Sequence, residues 1–106
     1  ALKANAVRWL EEASEFHPSG YAILGAAAEL GTLMKKDSGK AEEYFKKGGN
    51  DPAAMFGYAL FLVRKAPTGT VPMQAQDLLI KSAERGNRGA QAFCFQFKIS
   101  YKPPAN

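Results

Sequence analysis

Few side chains in this sequence are of the types that carry out reactions or bind metals. His17 is the only histidine and Cys94 the only cysteine, and they lie far apart in the chain. A cysteine nucleophile needs a base such as histidine beside it, and a lone cysteine forms neither an internal disulfide nor a multi-cysteine metal site. No three-ligand zinc spacing occurs. We therefore expect His17 at an exposed helix end, Cys94 in the core, and no catalytic residue, metal or cofactor.

The clustered carboxylates and glycines have equally simple interpretations. Glu11-Glu12 and Glu42-Glu43 would need a cleft between them to act as a glycosidase pair, and we expect both on solvated helix faces. Gly48-Gly49 matches neither of the glycine fingerprints that bind phosphate, and we expect a turn there. These residues give no reason to predict an enzyme.

The length and composition limit the protein to one small globular domain, which we place over residues 1–106. Of the 106 residues, 46% are hydrophobic and 23% are charged, which is ordinary for a globular protein. Domains commonly contain about 100–150 residues. No apolar run approaches the roughly 20 residues of a membrane-spanning helix, so we expect no membrane span.

The mildly basic charge leaves one alternative open. The formal net charge is +4, and a nucleic-acid binder would carry its basic residues on one face. The acidic residues come early in the chain and many of the basic ones later: Glu11, Glu12 and Glu15, then Lys35, Lys36, Lys40, Lys46 and Lys47. A weak nucleic-acid or anionic-ligand binder would need aromatic residues among these lysines and a steep salt dependence of binding.

Glycine and proline divide the chain into apolar-periodic stretches that are typical of helices. Asp51 followed by Pro52 is a favoured helix start, because the carboxylate caps the free N–H groups and proline suits the first helical position. His17-Pro18 and Gly48-Gly49 are breaks. We predict five helices over about 4–16, 20–34, 38–48, 52–65 and 72–85.

The stretch 89–101 is compatible with either a strand or a sixth helix. Phe93, Phe95, Phe97, Ile99 and Tyr101 alternate with more polar residues, and alternation is the pattern of a strand. A single strand among helices would leave its backbone hydrogen bonds without partners. We therefore predict a helix here, with the strand as the alternative.

The chain also contains an internal repeat. Ala6, Ala41 and Ala75 each precede, after two residues, a pair of large apolar side chains, and these starts lie 35 and 34 residues apart. A period near 35 with two helices per unit is typical of an α/α solenoid, in which neighbouring units bury each other's apolar faces. Small residues recur in the second helix of each unit, where the paired helix can approach closely: Gly25, Gly57 and Cys94.

The repeat resembles a Sel-like repeat, a relative of the tetratricopeptide repeat. The resemblance rests on Leu24-Gly25, Gly31, Leu33, Asp37 and Lys40-Ala41-Glu42-Glu43-Tyr44-Phe45, and on Lys81-Ser82-Ala83-Glu84-Arg85-Gly86-Asn87. It implies an all-α, right-handed solenoid of about five or six antiparallel helices. The units would span roughly 6–37, 38–72 and 73–101, followed by a tail over 102–106.

The same resemblance implies a bacterial protein that binds another protein in a concave groove and catalyses nothing itself. It would be an adaptor, a scaffold or an inhibitor, or alternatively an immunity protein that neutralises a toxic effector. A fragment of a longer repeat array is a further alternative, which predicts self-association through an exposed apolar end. Neither partner nor compartment can be read from the sequence. The predicted groove residues are Ala22, Ala26 and Glu29, then Ala54, Tyr58 and Phe61, then Gln91, Phe95 and Lys98.

Overall fold

The computed structural model describes residues 2–104, which form six α-helices and no strand. The helices are α1 (Leu2–Ser14), α2 (Gly20–Leu30), α3 (Ser38–Lys47), α4 (Pro52–Lys65), α5 (Met73–Glu84) and α6 (Arg88–Phe97). The prediction of an all-α fold is confirmed, and the stretch that could have been a strand is helical. Ala1 of the predicted domain, and Ala105 and Asn106 of the predicted tail, lie outside the described residues.

Side-chain caps explain why three of the helices begin where they do. Asp51 accepts a hydrogen bond from the backbone N–H of Ala54 at 3.0 Å, and Asn87 accepts one from Ala90 at 2.9 Å. Asp37 caps α3 in the same way. Such caps satisfy N–H groups that the helix leaves free. The cap at Asn87 and the burial of Ala90 and Cys94 on one face settle α6 as a helix.

Helix α2 ends four residues before the predicted position. Gly31 has a φ of 74°, a left-handed conformation that glycine adopts without steric cost. Its backbone N–H donates to the carbonyl of Ala27 and closes the helix. The segment 31–37 is therefore a connection between α2 and α3.

Each helix packs against the next one in the chain, and connections of three to seven residues join them. The most extensive packing is between α2 and α3 and between α4 and α5. Helix α2 also contacts α4, two helices further on. The Cα atoms extend over 44 × 35 × 17 Å, so the helices form a thin slab with much of its surface near solvent.

Two neighbouring clusters of buried side chains form the core. The first joins α2, α3 and α4 through Leu24, Ala28, Ala41, Tyr44, Phe45, Tyr58 and Phe61. The second joins α4, α5 and α6 through Ala59, Ala75, Leu79, Ala83, Ala90 and Cys94. Leu62 of α4 and Leu78 of α5 pack against both clusters.

Phe45 of α3 is wedged between two glycines of neighbouring helices. A methyl group at Gly57 of α4 would lie 2.8 Å from a carbon of the Phe45 ring, and one at Gly25 of α2 would overlap the same ring. Carbon atoms pack at about 3.5–4.0 Å. The two glycines therefore let the backbones of α2 and α4 approach this ring. The predicted close approach of the paired helix is found at Gly57, whereas Gly25 contacts α3 of the next predicted unit and not α1.

Candidate functional site

The residues whose types could carry out chemistry lie apart from one another, and the buried one, Cys94, is unreactive. Cys94 lies in the second cluster, where burial raises the pKa of its thiol and so keeps it protonated. His17 is exposed just after α1. Residues 2–104 contain no group of three or more histidine, cysteine, aspartate or glutamate side chains that could hold a metal ion.

None of the helices within residues 2–104 combines the length and the apolar character needed to cross a bilayer.

The three predicted groove residues of α4 lie in the core, which corrects their placement on an accessible surface. Ala54 and Phe61 are buried, and Tyr58 is 6% exposed. The ring of Phe61 lies 5.8 Å from that of Phe45, and the ring of Tyr58 lies 6.1 Å from it. Tyr58 and Phe61 belong to the first cluster and Ala54 is fully buried, so these side chains do not form an accessible surface.

The helix caps supply the physical reason for this correction. Matching the capping residues Asp51 and Asn87 places Tyr58 over Cys94 and Ala59 over Phe95. The sequence comparison had instead matched Tyr58 with Phe95. A shift of one residue turns a side chain by about 100° around the helix. The misalignment by one residue therefore assigned buried side chains of α4 to the predicted groove.

The predicted α2 residues are half-buried beside a bridge to α4. Ala22 and Ala26 are small, and Glu29 accepts two hydrogen bonds from the Arg64 guanidinium, with the Nε–Oε2 distance 2.7 Å. The same hydrogen bonding raises the pKa of Arg64. A bidentate pair fixes both distance and orientation, so Glu29 holds α2 against α4 and has little freedom to bind a partner.

Two tyrosine hydroxyls link the helices through glutamates. Tyr58 donates to Glu42 of α3 at 2.7 Å, and Tyr44 donates to Glu11 of α1 at 2.8 Å. Burial, followed by the hydrogen bond and charge of Glu42, raises the pKa of Tyr58 to about 12. Burial and Glu11 likewise raise the pKa of Tyr44 above its ordinary value. Both hydroxyls are therefore bound in their protonated form.

This arrangement predicts a loss of stability at alkaline pH. A phenol whose pKa rises on folding stabilises the folded state fully below its unfolded pKa of 10.0 and progressively less as pH rises through about 12. Urea midpoints measured across that range should fall, and Tyr58→Phe should make the fall shallower. An unchanged midpoint above pH 10 would contradict the assignment.

Of the predicted residues at α6, one is hydrogen-bonded to α5 and two are exposed to solvent. Gln91 donates to the carbonyl of Ala83 at 3.0 Å, which ties it to α5. Phe95 is 87% exposed, and Lys98 is exposed at the end of the helix. Of the nine predicted residues, Phe95 and Lys98 are the two classed as exposed. The structure brings these two together in one place.

Phe97 adds a third exposed side chain to the surface that Phe95 and Lys98 form, although it was not among the predicted residues. Its ring stacks on that of Phe93 with 4.5 Å between centroids and is 44% exposed. Two shallow pockets adjoin it, one beside Phe95 and Tyr101 and the other beside Phe97 and Val71. We call Phe95, Phe97 and Lys98 the α6 surface. The signal for this surface in the sequence was the alternation of Phe93, Phe95 and Phe97. Side chains two residues apart on a helix point in different directions, so these three rings cannot all face the core.

Lys98 holds a backbone conformation that is costly for its residue type. Its φ is 58° and its ψ is 40°, and no other described non-glycine residue has a positive φ. The N–H of Ile99 donates to the carbonyl of Cys94 at 2.8 Å, so the chain turns back at this point. Left-handed geometry costs a non-glycine residue about 1–2 kcal/mol.

Lys98→Gly should therefore raise the free energy of unfolding by about 1 kcal/mol, since glycine carries no such cost. Urea denaturation followed by circular dichroism measures the change. Lys102→Gly, in the exposed tail, is the matched control and should bring no gain. Equal effects of the two changes would show that the backbone conformation at Lys98 is not strained.

A second exposed apolar face lies on α1, at the other end of the chain, and sequence reasoning missed it. Leu2 and Trp9 are seven residues apart and share one face of α1, and Phe16 follows in the turn directly after the helix. Trp9 is 64% exposed and Phe16 is 81% exposed. The periodicity alone predicted an amphipathic helix and could not tell which of its apolar stripes would be covered.

Comparisons with known proteins give no family assignment: no family model, no curated protein and no solved structure matches the chain.

Proposed function

We propose that the chain is a small Sel-like repeat module, which binds a partner protein through its α6 surface and catalyses no reaction. Three features support a solenoid arrangement. Consecutive helices pack together, α2 contacts α4 as alternate helices do in a row, and α4 and α6 begin with equivalent caps. Solenoids of this kind present extended surfaces for binding.

The exposure of Phe95 is the observation that carries the proposal. An aromatic side chain that is 87% exposed stands beside Lys98 and the half-exposed ring of Phe97. Aromatic side chains are enriched at the centres of protein interfaces, where they bury a large apolar area.

Affinity capture from a lysate of the source organism tests the proposal. The immobilised chain is compared with Phe95→Glu and with Leu30→Glu, a change to the same charge at an apolar side chain of α2 that is 64% exposed. We expect one stoichiometric partner that Phe95→Glu loses by at least about tenfold, because a buried charge without a partner is costly. Circular dichroism checks that both variants remain helical.

The identity of the captured molecule decides between the alternative functions. A toxic effector would assign the protein as an inhibitor of that effector. Nucleic acid released steeply by salt would replace the proposal with electrostatic binding by the exposed lysines. Capture that is unaffected by Phe95→Glu would place the binding site on another surface.

A further inference from the structure

The two exposed apolar faces lie on different helices of the repeat unit. Helix α1 is the first helix of its predicted unit, and α6 is the second helix of its unit. The equivalent caps of α4 and α6 place Ala59 over Phe95 and Phe61 over Phe97. In α4 both positions are buried, but by different neighbours: Ala59 lies in the second cluster with Leu79 of α5, and Phe61 lies in the first cluster with residues of α2 and α3. At the position of Phe95, α6 therefore lacks a following helix like α5, and residues 2–104 provide none.

Helix α1 is the first helix of a predicted unit, like α3 and α5, and this is the kind of helix that is missing after α6. The repeat aligns Trp9 and Leu10 of α1 with Tyr44 and Phe45 of α3, and with Leu78 and Leu79 of α5. The tyrosine that matches Trp9 is buried, whereas Trp9 itself is 64% exposed. Helix α1 thus presents the kind of face that packs against α2 and α4 inside the molecule, with no described helix preceding it.

Charge complements this match of faces. Residues 2–16 carry three glutamates against Lys3 and Arg8, a net charge of −1, whereas residues 84–104 carry four basic side chains against Glu84, a net charge of +3. The α1 face is flanked by Glu12 and Glu15, and the start of α6 by Arg85 and Arg88, all of them exposed. Opposite charges at the two ends favour contact between them and disfavour contact of either end with itself.

From these observations we propose that the partner of the α6 surface is a second copy of this chain, which packs its α1 face there in a head-to-tail array. The inference rests on the proposed function, since it names the partner of the same surface. Each new contact would repeat the pairing of α4 with α5. An interface between two different faces leaves both outer ends free, so the array is open and grows with concentration.

The antiparallel order of paired helices sets which charges meet. If α1 packs on α6 as α5 packs on α4, the end of α1 lies beside the start of α6. Glu15 of one copy then faces Arg88 of the next. Trp9 and Leu2 lie along the rings of Phe95 and Phe97.

Sedimentation equilibrium over a range of concentrations tests the proposal with residues 1–106. The wild-type mass should rise with concentration from 11.5 kDa, and higher ionic strength should lower it. Trp9→Glu and Phe95→Glu should each remain at the monomer mass, because each blocks one of the two faces. Lys46→Gln on the exposed side of α3 changes the net charge equally and should assemble like the wild type.

Mixing the two blocked variants gives the decisive result. Trp9→Glu retains its α6 surface and Phe95→Glu retains its α1 face, so an equimolar mixture should form one dimer of twice the monomer mass and grow no further. Two symmetric alternatives overturn the proposal: a dimer formed by Trp9→Glu alone, or one formed by Phe95→Glu alone. A mixture that stays monomeric overturns it as well.

Charge reversal supplies a test that leaves the aromatic residues intact. Arg88→Glu should weaken assembly, and adding Glu15→Arg in the same chain should restore it. Restoration requires the two side chains to face each other across copies, which a mere loss of stability cannot imitate.

The experiments give different outcomes if this inference is wrong and if the proposed function is wrong. A wild-type mass that stays at 11.5 kDa at every concentration overturns the second-copy partner. Capture of a different protein that Phe95→Glu abolishes and Leu30→Glu spares would then still support the proposed function.

Discussion

Phe45→Ala is expected to lower the free energy of unfolding by about 3–5 kcal/mol. The Phe45 ring is 2% exposed and is enclosed by Gly25 and Gly57, with Tyr58 stacked on it at 6.1 Å. Removing it leaves a cavity shared by three helices, which cannot collapse without moving their backbones. Small domains have about 5–15 kcal/mol of stability in total, so this one substitution should remove a large share of it.

Urea denaturation followed by circular dichroism measures this loss, and the chain supplies its own control. Phe95→Ala removes the same atoms from a side chain that is 87% exposed, and it should change the free energy of unfolding by no more than about 0.5 kcal/mol. Losses of similar size in the two variants would mean that Phe45 is not the centre of the first cluster.

Gly25→Ala should also destabilise the protein, although alanine is the better helix former. The substitution gains about 1 kcal/mol of helix propensity. The new methyl group would overlap the Phe45 ring, and overpacking of this kind costs typically 1–3 kcal/mol. Gly39→Ala is the matched control, because a methyl group there meets only an oxygen of Asp37 at 3.5 Å. It should stabilise the protein.

A double variant separates the overlap from other effects of Gly25→Ala. The second cluster combines Ala59 with Leu79, so Gly25→Ala together with Phe45→Leu would give the first cluster the same pair of residue types. The double variant should lose less stability than the sum of the single changes, by about 0.5–3 kcal/mol, because the two sites touch. Strict additivity would contradict a contact between Gly25 and Phe45.

Local signals were sufficient to predict the helices of this protein. Asp51 with Pro52, and the glycine and proline breaks, act within a few residues and do not depend on the rest of the fold. The last helix was harder, since Phe93, Phe95 and Phe97 alternate as in a strand. Only the lack of neighbouring strands decides such a segment, and that is a property of the whole chain.

The surface could be predicted only in part, because repeats of unequal length can be aligned in more than one way. Gly57 resembles Gly25 in type, and both contact Phe45, yet they do so from different helices. Matching them rotated the predicted face of α4 and placed Tyr58 and Phe61 on the surface. The exposure of Phe95 was equally hidden, since it depends on which helices pack against α6 and not on the residue itself. The division into three repeat units remains a prediction.

Leu62 and Leu78, which pack against both buried clusters, determine how the protein comes apart. Repeat arrays can lose their units one at a time when each unit touches only its neighbours. Here neither cluster can open without exposing these two leucines, so α2 to α6 should unfold as one cooperative unit. Amide hydrogens of α4 and α5 would then exchange with solvent only through global unfolding. Helix α1, which packs mainly on α2, lies outside that unit and should open first.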